Sequence, residues 1–381
     1  MFADKRRIAV AFAAIGAFLH LYAPQAVLPL IAQEYGVGAA AASLIITAGT
    51  FAVAATAPFT GALSDVLGRK RVIVTAMALL VIPATMTALA PTLHQIIFWR
   101  FIHGLLLPPI FTVTIAYIGD EFPPNEVTGV FGIYVSASAV GGFLSRFVPG
   151  MLTDYVGWRG GFLALACASV ICFVTVFALL PPEKRFVRAN NIGTSLRQML
   201  AHLRNPTLLA IYAVGFGVLF NFIATFTYLS FHLAGPPFNR SPAFLGSIFV
   251  VYLFGAAASL WLGRAIAARG RRVFVLCLLA IWAGGMLLSL LPSVTAIVLC
   301  LVVASTCGLL VQASSTSFVA ITAKTGTSAA VGLYVTSFYV GGTFGGWLPG
   351  LAYEAGGWPW SLALVLGMLA VMTLIVAKFW K

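Results

Sequence analysis

Three ionisable side chains interrupt apolar stretches of the sequence and could handle a proton: His20, Arg100 and His103. An ionisable residue inside a membrane span is costly and is by default a candidate functional residue. Histidine takes up and releases protons near neutral pH, and Arg100 lies three positions from His103, so one helix face would carry both. We predict that His103 couples proton movement to function, together with Arg100 and with His20 as the second candidate. The alternative is that each histidine is a neutral core residue with one hydrogen bond.

A fourth charged side chain, Arg146, lies in a glycine-rich run that the chain repeats. The run VGGFLSRFVPG at 140–150 returns as VGGTFGGWLPG at 340–350, and ten of 28 aligned positions around it are identical. Small residues four positions apart let helices approach closely. The sequence therefore predicts an internal duplication. The repeated run, including Gly141 and Gly142, is predicted to be an interface on which the two halves rock.

Arg146 stands where the second copy of the run has Gly346. We predict that Arg146 acts as an outer gate, about one helical turn from the end of its span. Its expected partner is a substrate anion or one of three outer acids, Glu34, Asp154 and Glu354. The alternative is that the guanidinium group of Arg146 extends to the lipid headgroups.

Composition places the whole chain in a membrane. Of the 381 residues, 61% are hydrophobic and 8% are charged, whereas soluble domains are about one-quarter charged. Since a helix of about 20 apolar residues can cross the hydrocarbon layer, the sequence predicts an all-α membrane protein with twelve transmembrane helices and no soluble domain. The predicted spans lie near residues 8–31, 43–63, 72–90, 95–118, 127–149, 161–181, 207–233, 243–262, 273–291, 294–318, 330–352 and 358–378.

The net charge of +13 is explained by topology rather than by nucleic-acid binding. A cytoplasmic N-terminus puts 18 of the 22 Lys and Arg residues on the inner side, in keeping with the positive-inside rule, and both termini are then cytoplasmic. Because six crossings are an even number, the two halves are parallel repeats. We predict six-helix bundles at 1–181 and 207–381, joined by a basic linker at 182–206 along the inner surface.

One motif, GALSDVLGRK at 61–70, closely resembles the signature loop of the major facilitator superfamily. The family pattern also has an arginine one turn before a glycine on helix 4, matched by Arg100 and Gly104, and a glycine-rich helix 5 like that of exporters. The resemblance covers the whole chain and implies two six-helix bundles around a cavity that opens to each side in turn. It implies a secondary active transporter of the bacterial inner membrane, similar to the branch that exports drugs and metabolites in exchange for protons. An importer of the same fold is the alternative.

The signature loop is predicted to work as a latch at the inner end of helix 2. An acidic side chain there can meet the positive end of a neighbouring helix and nearby guanidinium groups, and two glycines allow a tight reversal. The second copy has Ala267 where the first has Asp65, so the latch is one-sided. The alternative for the basic residues is that they only orient the helix. The predicted gating residues are Gly61, Asp65, Gly68, Arg69, Lys70 and Arg71, with Asp120 and Glu121 as partners.

The resemblance also implies that helices 1, 4, 7 and 10 line the cavity. The candidate substrate contacts are Tyr22, Gln25, Asn221, Thr225, Tyr228 and Gln312. Each of these side chains could instead make a hydrogen bond between helices. No acidic residue lies in the middle of a predicted span, and a cationic substrate would need a buried carboxylate. We therefore expect a neutral or anionic small molecule as the cargo.

The sequence contains no phosphate-binding Gly-x-x-x-x-Gly-Lys loop, no metal-type cysteine spacing and no evident catalytic pairing. We therefore predict no enzyme activity and no cofactor. The expected partners are a small-molecule substrate, protons and the lipid bilayer, without nucleic acid, and the expected state is a monomer. A membrane-embedded enzyme or a structural subunit is the remote alternative.

Overall fold

The protein is built from helices. The computed structural model describes residues 5–183, 201–259, 262–323 and 327–380. Within these ranges every regular element is an α-helix or a short 3-10 helix. Most of the predicted linker, residues 184–200, lies outside the described residues.

The described helices form twelve spans in chain order. Spans 1 to 6 are Lys5–Phe18 with Leu28–Tyr35, Ala39–Leu67, Arg69–Leu89, Leu93–Glu121, and the two parts of Pro124–Leu179. Spans 7 to 12 are Pro206–Ala234, the series Pro242–Ser247, Tyr252–Ser259 and Leu262–Arg269, then Arg271–Met286, Val294–Thr322, and the two parts of Thr327–Phe379. Nine helical segments of the described chain, among them the series Pro242–Ser259, are long and apolar enough to cross a membrane. Two of them contain two spans each, and span 1 is broken into shorter pieces.

Glycines with a positive φ angle make the sharpest reversals. Gly157, with φ of 72°, divides Pro124–Leu179 into spans 5 and 6, and Gly68, with φ of 93°, separates spans 2 and 3. A side chain is strained at such angles, and glycine is not. The loop between spans 2 and 3 is thus the single residue Gly68, and the rest of the signature motif is helical. Gly61 lies inside span 2, so the prediction that it helps to form the reversal is wrong.

Span 1 is broken near its middle, although the sequence predicted a continuous span there. Its first helix ends at Phe18, and a 3-10 turn covers Ala23–Ala26 before Leu28 begins the next helix. The cause is Pro24, which has no N–H group to bond the carbonyl four residues earlier. Pro29 then falls in the first turn of the following helix, where proline is tolerated.

The packing of the chain divides it into two compact units, each with its own core. Unit 1 consists of Met1–Val27, Ala48–Ile192 and Pro242–Ser247, and unit 2 consists of Leu28–Thr47, Gly193–Ser241 and Ile248–Lys381. Large buried side chains of unit 1 include Tyr117 and Trp158, and those of unit 2 include Phe226, Trp282 and Trp358.

Candidate functional site

The break in span 1 is held by an arginine from span 4. Because Pro24 has no N–H group, the carbonyl of His20 loses the partner it would have in a continuous helix and accepts instead from the N–H of Ala23 at 3.1 Å. Arg100 Nη1 donates a hydrogen bond to this carbonyl at 2.9 Å, and Nη2 donates to the carbonyl of Leu21 at 2.5 Å. Arg100 is only 1% exposed. A guanidinium group, which keeps its charge in proteins, is therefore buried against the unwound backbone of span 1.

Both predicted histidines lie beside this arginine. The rings of His20 and His103 meet edge to face, with centroids 5.1 Å apart. His103 Nδ1 is 3.5 Å from Arg100 Nη1, and His20 Nε2 shares a 2.6 Å hydrogen bond with Ser169 Oγ of span 6. All four residues are buried, and we call them the buried basic cluster. Ser169 was absent from the sequence predictions, because nothing local connects it with a histidine 149 positions away.

Within the described part of the chain, the buried basic cluster has unpaired polar atoms and contains no acid. Nε2 of His103 and Nε of Arg100 are buried without a hydrogen-bond partner, a condition that costs about 1–3 kcal/mol for each group. Among the described residues no carboxylate forms an ion pair with Arg100, and the sequence has no Asp or Glu between residues 66 and 119. A proton added to an imidazole of the cluster would therefore bring a positive charge that no carboxylate of the described residues neutralises.

Close packing of spans 2 and 4 fixes the position of Arg100. A Cβ atom on Gly104 would lie 2.7 Å from Ala52 Cβ and closer still to the carbonyl oxygen of Gly49. A Cβ on Gly49 would lie 3.6 Å from Arg100 Nη2. Any side chain at Gly104 would therefore push the two spans apart. Gly104 therefore permits the close approach of spans 2 and 4, and this approach fixes the position of Arg100, one turn before Gly104.

Arg146 forms a second buried arginine site on span 1. Its Nε donates to Gln25 Oε1 at 2.8 Å, its Nη1 donates to the carbonyl of Gly142 at 2.6 Å, and its guanidinium lies 4.6 Å from the ring centre of Tyr22. Arg146 is 4% exposed, so the alternative that it extends to the headgroups is wrong. Two predicted substrate contacts, Tyr22 and Gln25, thus lie together at Arg146.

The outer acid expected as the partner of Arg146 stays a prediction. Two of the contacts of the Arg146 guanidinium are with an amide oxygen and a backbone carbonyl. One of the expected acids, Glu354, accepts a hydrogen bond from the backbone N–H of Ala40 at 3.0 Å, within unit 2.

The repeated glycine run packs in two different directions. A Cβ on Gly141 would lie 2.7 Å from the carbonyl oxygen of Ile15, in span 1 of the same half. Nine positions later, a Cβ on Gly150 would lie 2.7 Å from the carbonyl of Pro242 and 2.8 Å from Gly246 Cα, in span 8 of the other half. Nine positions are about 180° apart on an α-helix, so the two glycines lie on opposite faces.

The second copy of the run shows the same division. Gly341 packs against the backbone of Phe216 in span 7, whereas Gly350 packs against Ala40 in span 2. A Cβ atom on Gly142 would have only Arg146 Nη1 near it, at 3.8 Å. Gly141 thus packs against span 1 of its own half, whereas Gly150 and Gly350, at the end of each run, pack against a span of the other half. The gating role of Gly141 and Gly142 stays a prediction.

The candidate substrate contacts of the second half do not share a site. Asn221 Nδ2 donates to Met372 Sδ at 3.5 Å, and Thr225 contacts Met286 Sδ at 4.0 Å. Both polar side chains are fully buried. The hydroxyl of Tyr228 donates to the carbonyl of Gly346, and the backbone carbonyl of Gln312 accepts from the hydroxyl of Tyr334 at 3.5 Å. The side chains of Asn221, Thr225 and Tyr228 thus make contacts between helices in this conformation, and the role of all four residues in cargo binding stays a prediction.

The predicted latch residues meet at one end of unit 1, which we call the basic end. Arg69 pairs with Asp65 at 2.6 Å and with Asp120 at 3.1 Å, so the predicted contact with Asp120 is present. The backbone carbonyl of Glu121 accepts a hydrogen bond from Arg6 of span 1 at 3.3 Å, and the expected contact of Glu121 with a basic residue of span 3 stays a prediction. The gating role of these residues stays a prediction.

The corresponding end of the second half has no acidic latch among its described residues. Arg271, which follows Gly270 as Arg69 follows Gly68, donates to the carbonyl of Ser314 and to Ser317 Oγ at 2.7 Å. The arginine is thus held by neutral oxygens, in agreement with the one-sided pattern of the sequence.

Comparisons with known proteins assign the chain to a family. A family model described as Major Facilitator Superfamily matches residues 10–236 and 234–381. The chain is 29% identical over 375 residues to the uncharacterized MFS-type transporter YybF of Bacillus subtilis (strain 168), covering 97% of this chain and 91% of the relative. It is 28% identical over 372 residues to the inner membrane transport protein YnfM of Escherichia coli (strain K12), covering 97% and 88%.

Solved structures show the same fold. The nucleoside transporter NupG superposes with a TM-score of 0.81 at 15% identity, over 98% of this chain and 100% of the other. A D-xylose-proton symporter superposes with a TM-score of 0.76 at 13% identity, over 98% and 97%. These matches confirm the predicted all-α fold of twelve helices.

Proposed function

The chain belongs to the Major Facilitator Superfamily, and from that membership we propose that it is a proton-coupled exporter of a small neutral or anionic organic molecule. It is a multi-pass membrane transporter rather than an enzyme. Direction, coupling ion and cargo class are the proposed parts. We further propose that it works as a monomer in the bacterial inner membrane. Both termini and the basic end then lie in the cytoplasm, in keeping with the positive-inside rule.

The observation that carries proton coupling is the buried basic cluster. A proton on His103 would create an imidazolium about 3.5 Å from the Arg100 guanidinium. At an effective dielectric constant of about 20, two unit charges at this distance repel by about 5 kcal/mol. That repulsion is comparable with the strength of the two hydrogen bonds by which Arg100 holds span 1. Proton uptake by His103 is therefore unfavourable while Arg100 holds the break in span 1 and becomes favourable when Arg100 moves away, so protonation and release of the break are linked.

The second half lacks the groups for this reaction. Residues 201 positions further along the chain from Arg100 and His103 are Leu301 and Ala304, both buried and apolar. The proposed proton site is therefore confined to unit 1, and one half of the transporter carries the coupling chemistry.

The proposed class of cargo follows from the charges within the spans. Arg100 and Arg146 are both buried, and a cation would be repelled by them. Tyr22 is partly exposed, whereas Gln25 and Arg146 are buried, so Tyr22 is the most accessible residue of that site. We propose that Tyr22, Gln25 and Arg146 contact the cargo when the transporter opens, with Arg146 as the gate.

Import by the same fold is the second candidate. The superposed nucleoside transporter and D-xylose-proton symporter share the fold at 15% and 13% identity, which favours neither direction for this chain. Transport in vesicles of known orientation distinguishes the two. An exporter accumulates its solute in everted vesicles and an importer does so in right-side-out vesicles.

The proposal is tested by proton release from everted vesicles that carry an imposed pH gradient, monitored with a pH-sensitive dye. Neutral, anionic and cationic solutes are added in turn to vesicles with and without the protein. We expect a neutral or anionic solute to collapse the gradient only when the protein is present. A response confined to cationic solutes would contradict the proposed cargo class, and solute uptake without any proton movement would contradict the coupling.

A further inference from the structure

Three consecutive basic residues begin span 3, and they have different surroundings. Arg69 is bound to Asp65 and Asp120. Lys70 and Arg71 instead line a groove of about 570 Å³ between spans 3 and 6. The two cations therefore face a space outside the predicted latch, and the latch does not explain them.

The groove has a charged end and an apolar wall. Its other lining residues are Val74, Thr75, Phe177, Pro182 and Glu183. Phe177 is 60% exposed and lies two residues before the end of span 6, while Lys70 is the second residue of span 3. The cations thus lie where the helices leave the hydrocarbon layer, and the apolar wall extends from them into that layer.

The one acid of the groove is already engaged. Glu183 Oε2 accepts a hydrogen bond from the backbone N–H of Lys70 at 3.3 Å, so it caps the positive N-terminal end of span 3. The backbone donors at this helix end are therefore occupied in part. The lysine and arginine side chains remain as the groups that could hold a phosphate.

We propose that this groove binds an anionic phospholipid of the surrounding leaflet. Lys70 and Arg71 hold the phosphate, and one acyl chain lies along Val74 and Phe177. Lysine and arginine are both suited to phosphate, and basic residues near a membrane surface attract anionic lipids. A ligand with a phosphate joined directly to a long apolar chain matches both parts of the groove, which a soluble anion does not.

The sequence next to the groove adds no negative charge. Residues 184–200 carry four basic side chains and no acidic one, so this stretch supplies no carboxylate that could neutralise Lys70 and Arg71. An anionic lipid has the complementary charge.

The test compares lipid binding to the purified full-length protein in detergent by native mass spectrometry. The probes are phosphatidylglycerol and phosphatidylcholine with identical acyl chains, and glycerol phosphate, which has the same phosphate without a chain. The variant Lys70→Gln/Arg71→Gln removes both charges, and Lys70→Arg/Arg71→Lys keeps them. The matched control, Arg264→Gln/Arg269→Gln, removes two exposed charges from span 8.

We expect wild type to prefer phosphatidylglycerol at one site. The charge-removing variant should lose about 10- to 30-fold in affinity for that lipid, from about 1 kcal/mol for each basic residue, while the exchanged pair and the control keep it. A further variant, Phe177→Ser, should weaken the binding of phosphatidylglycerol without changing the binding of glycerol phosphate. Equal affinity for the two lipids, unchanged binding in the charge-removing variant, or displacement of the lipid by millimolar glycerol phosphate would overturn the proposal.

Discussion

The variant Gly246→Ala tests whether the backbone contact between spans 5 and 8 is a joint that opens. A Cβ atom on Gly246 would lie 2.8 Å from the carbonyl oxygen of Arg146 and 3.1 Å from Gly150 Cα. Both neighbours are backbone atoms, so no side chain can move aside. Span 8 must therefore shift away from span 5 by about half an ångström or separate from it.

The size of the effect follows from the cost of overpacking. Inserting a methyl group into a well-packed contact costs about 1–3 kcal/mol. Because 1.4 kcal/mol corresponds to tenfold in an equilibrium constant, the ratio of joint-open to joint-closed molecules should rise about 5- to 150-fold. Alanine also favours a helix over glycine by up to about 1 kcal/mol. Gly263→Ala, in the same span and with nothing within 4 Å of the added atom, is the control that measures the helix-propensity contribution alone.

The population is measured by electron paramagnetic resonance on a cysteine-free background with spin labels at Tyr155 and Ala243. Both positions are in unit 1, and Tyr155 is 83% exposed. We expect a larger fraction of molecules with a longer distance between the two spin labels in Gly246→Ala, and no such increase in Gly263→Ala. Identical distance distributions in wild type and both variants would refute the reasoning that this contact opens.

Three further changes give measurable outcomes. Asp120→Asn removes one of the two carboxylates that pair with Arg69. Since the Asp120 carboxylate is 42% exposed, its loss should lower the free energy of unfolding by less than about 1 kcal/mol. This difference from wild type should vanish in 1 M salt, where the Debye length is about 3 Å. Arg146→Lys keeps the charge but loses the hydrogen bond from Nε to Gln25, and the initial transport rate should fall about tenfold or more. An unchanged rate would contradict the assignment of Arg146 as the gate. Ser289→Ala leaves the buried indole N–H of Trp358 without its 2.8 Å acceptor, which costs about 1–3 kcal/mol and should lower the midpoint of thermal unfolding in detergent.

The fold could be predicted because its main signals are local. Runs of about 20 apolar residues fix the number of spans, and glycines at 68 and 157 mark reversals. The break in span 1 was missed, although Pro24 was visible in the sequence. Proline within a membrane span is tolerated when neighbouring groups satisfy the freed backbone, so its effect depends on a partner. That partner is Arg100, 80 positions away from His20.

The candidate site was predictable where helix periodicity decides the contact. Arg100 and His103 share a face because they are three positions apart. Asn221 lies 201 positions after His20 and so takes the corresponding place in the second copy of the duplication, but the duplication does not reveal which way either residue faces. His20 contacts span 6, and Asn221 contacts Met372 of span 12, so each residue faces a helix of its own half. Periodicity gives the angle between residues of one helix, and the rotation of that helix depends on the whole bundle.

The proton-to-solute ratio of His103→Gln in proteoliposomes tests the central claim most directly. The solute is the one that gives the largest response in the vesicle assay, and His94→Gln, an exposed histidine of the same span, is the control. We predict that His103→Gln still exchanges solute across the membrane within about threefold of the wild-type rate, while its proton movement falls to the level of empty liposomes. His94→Gln should keep the wild-type ratio. Proton movement at the wild-type ratio in His103→Gln would contradict the account.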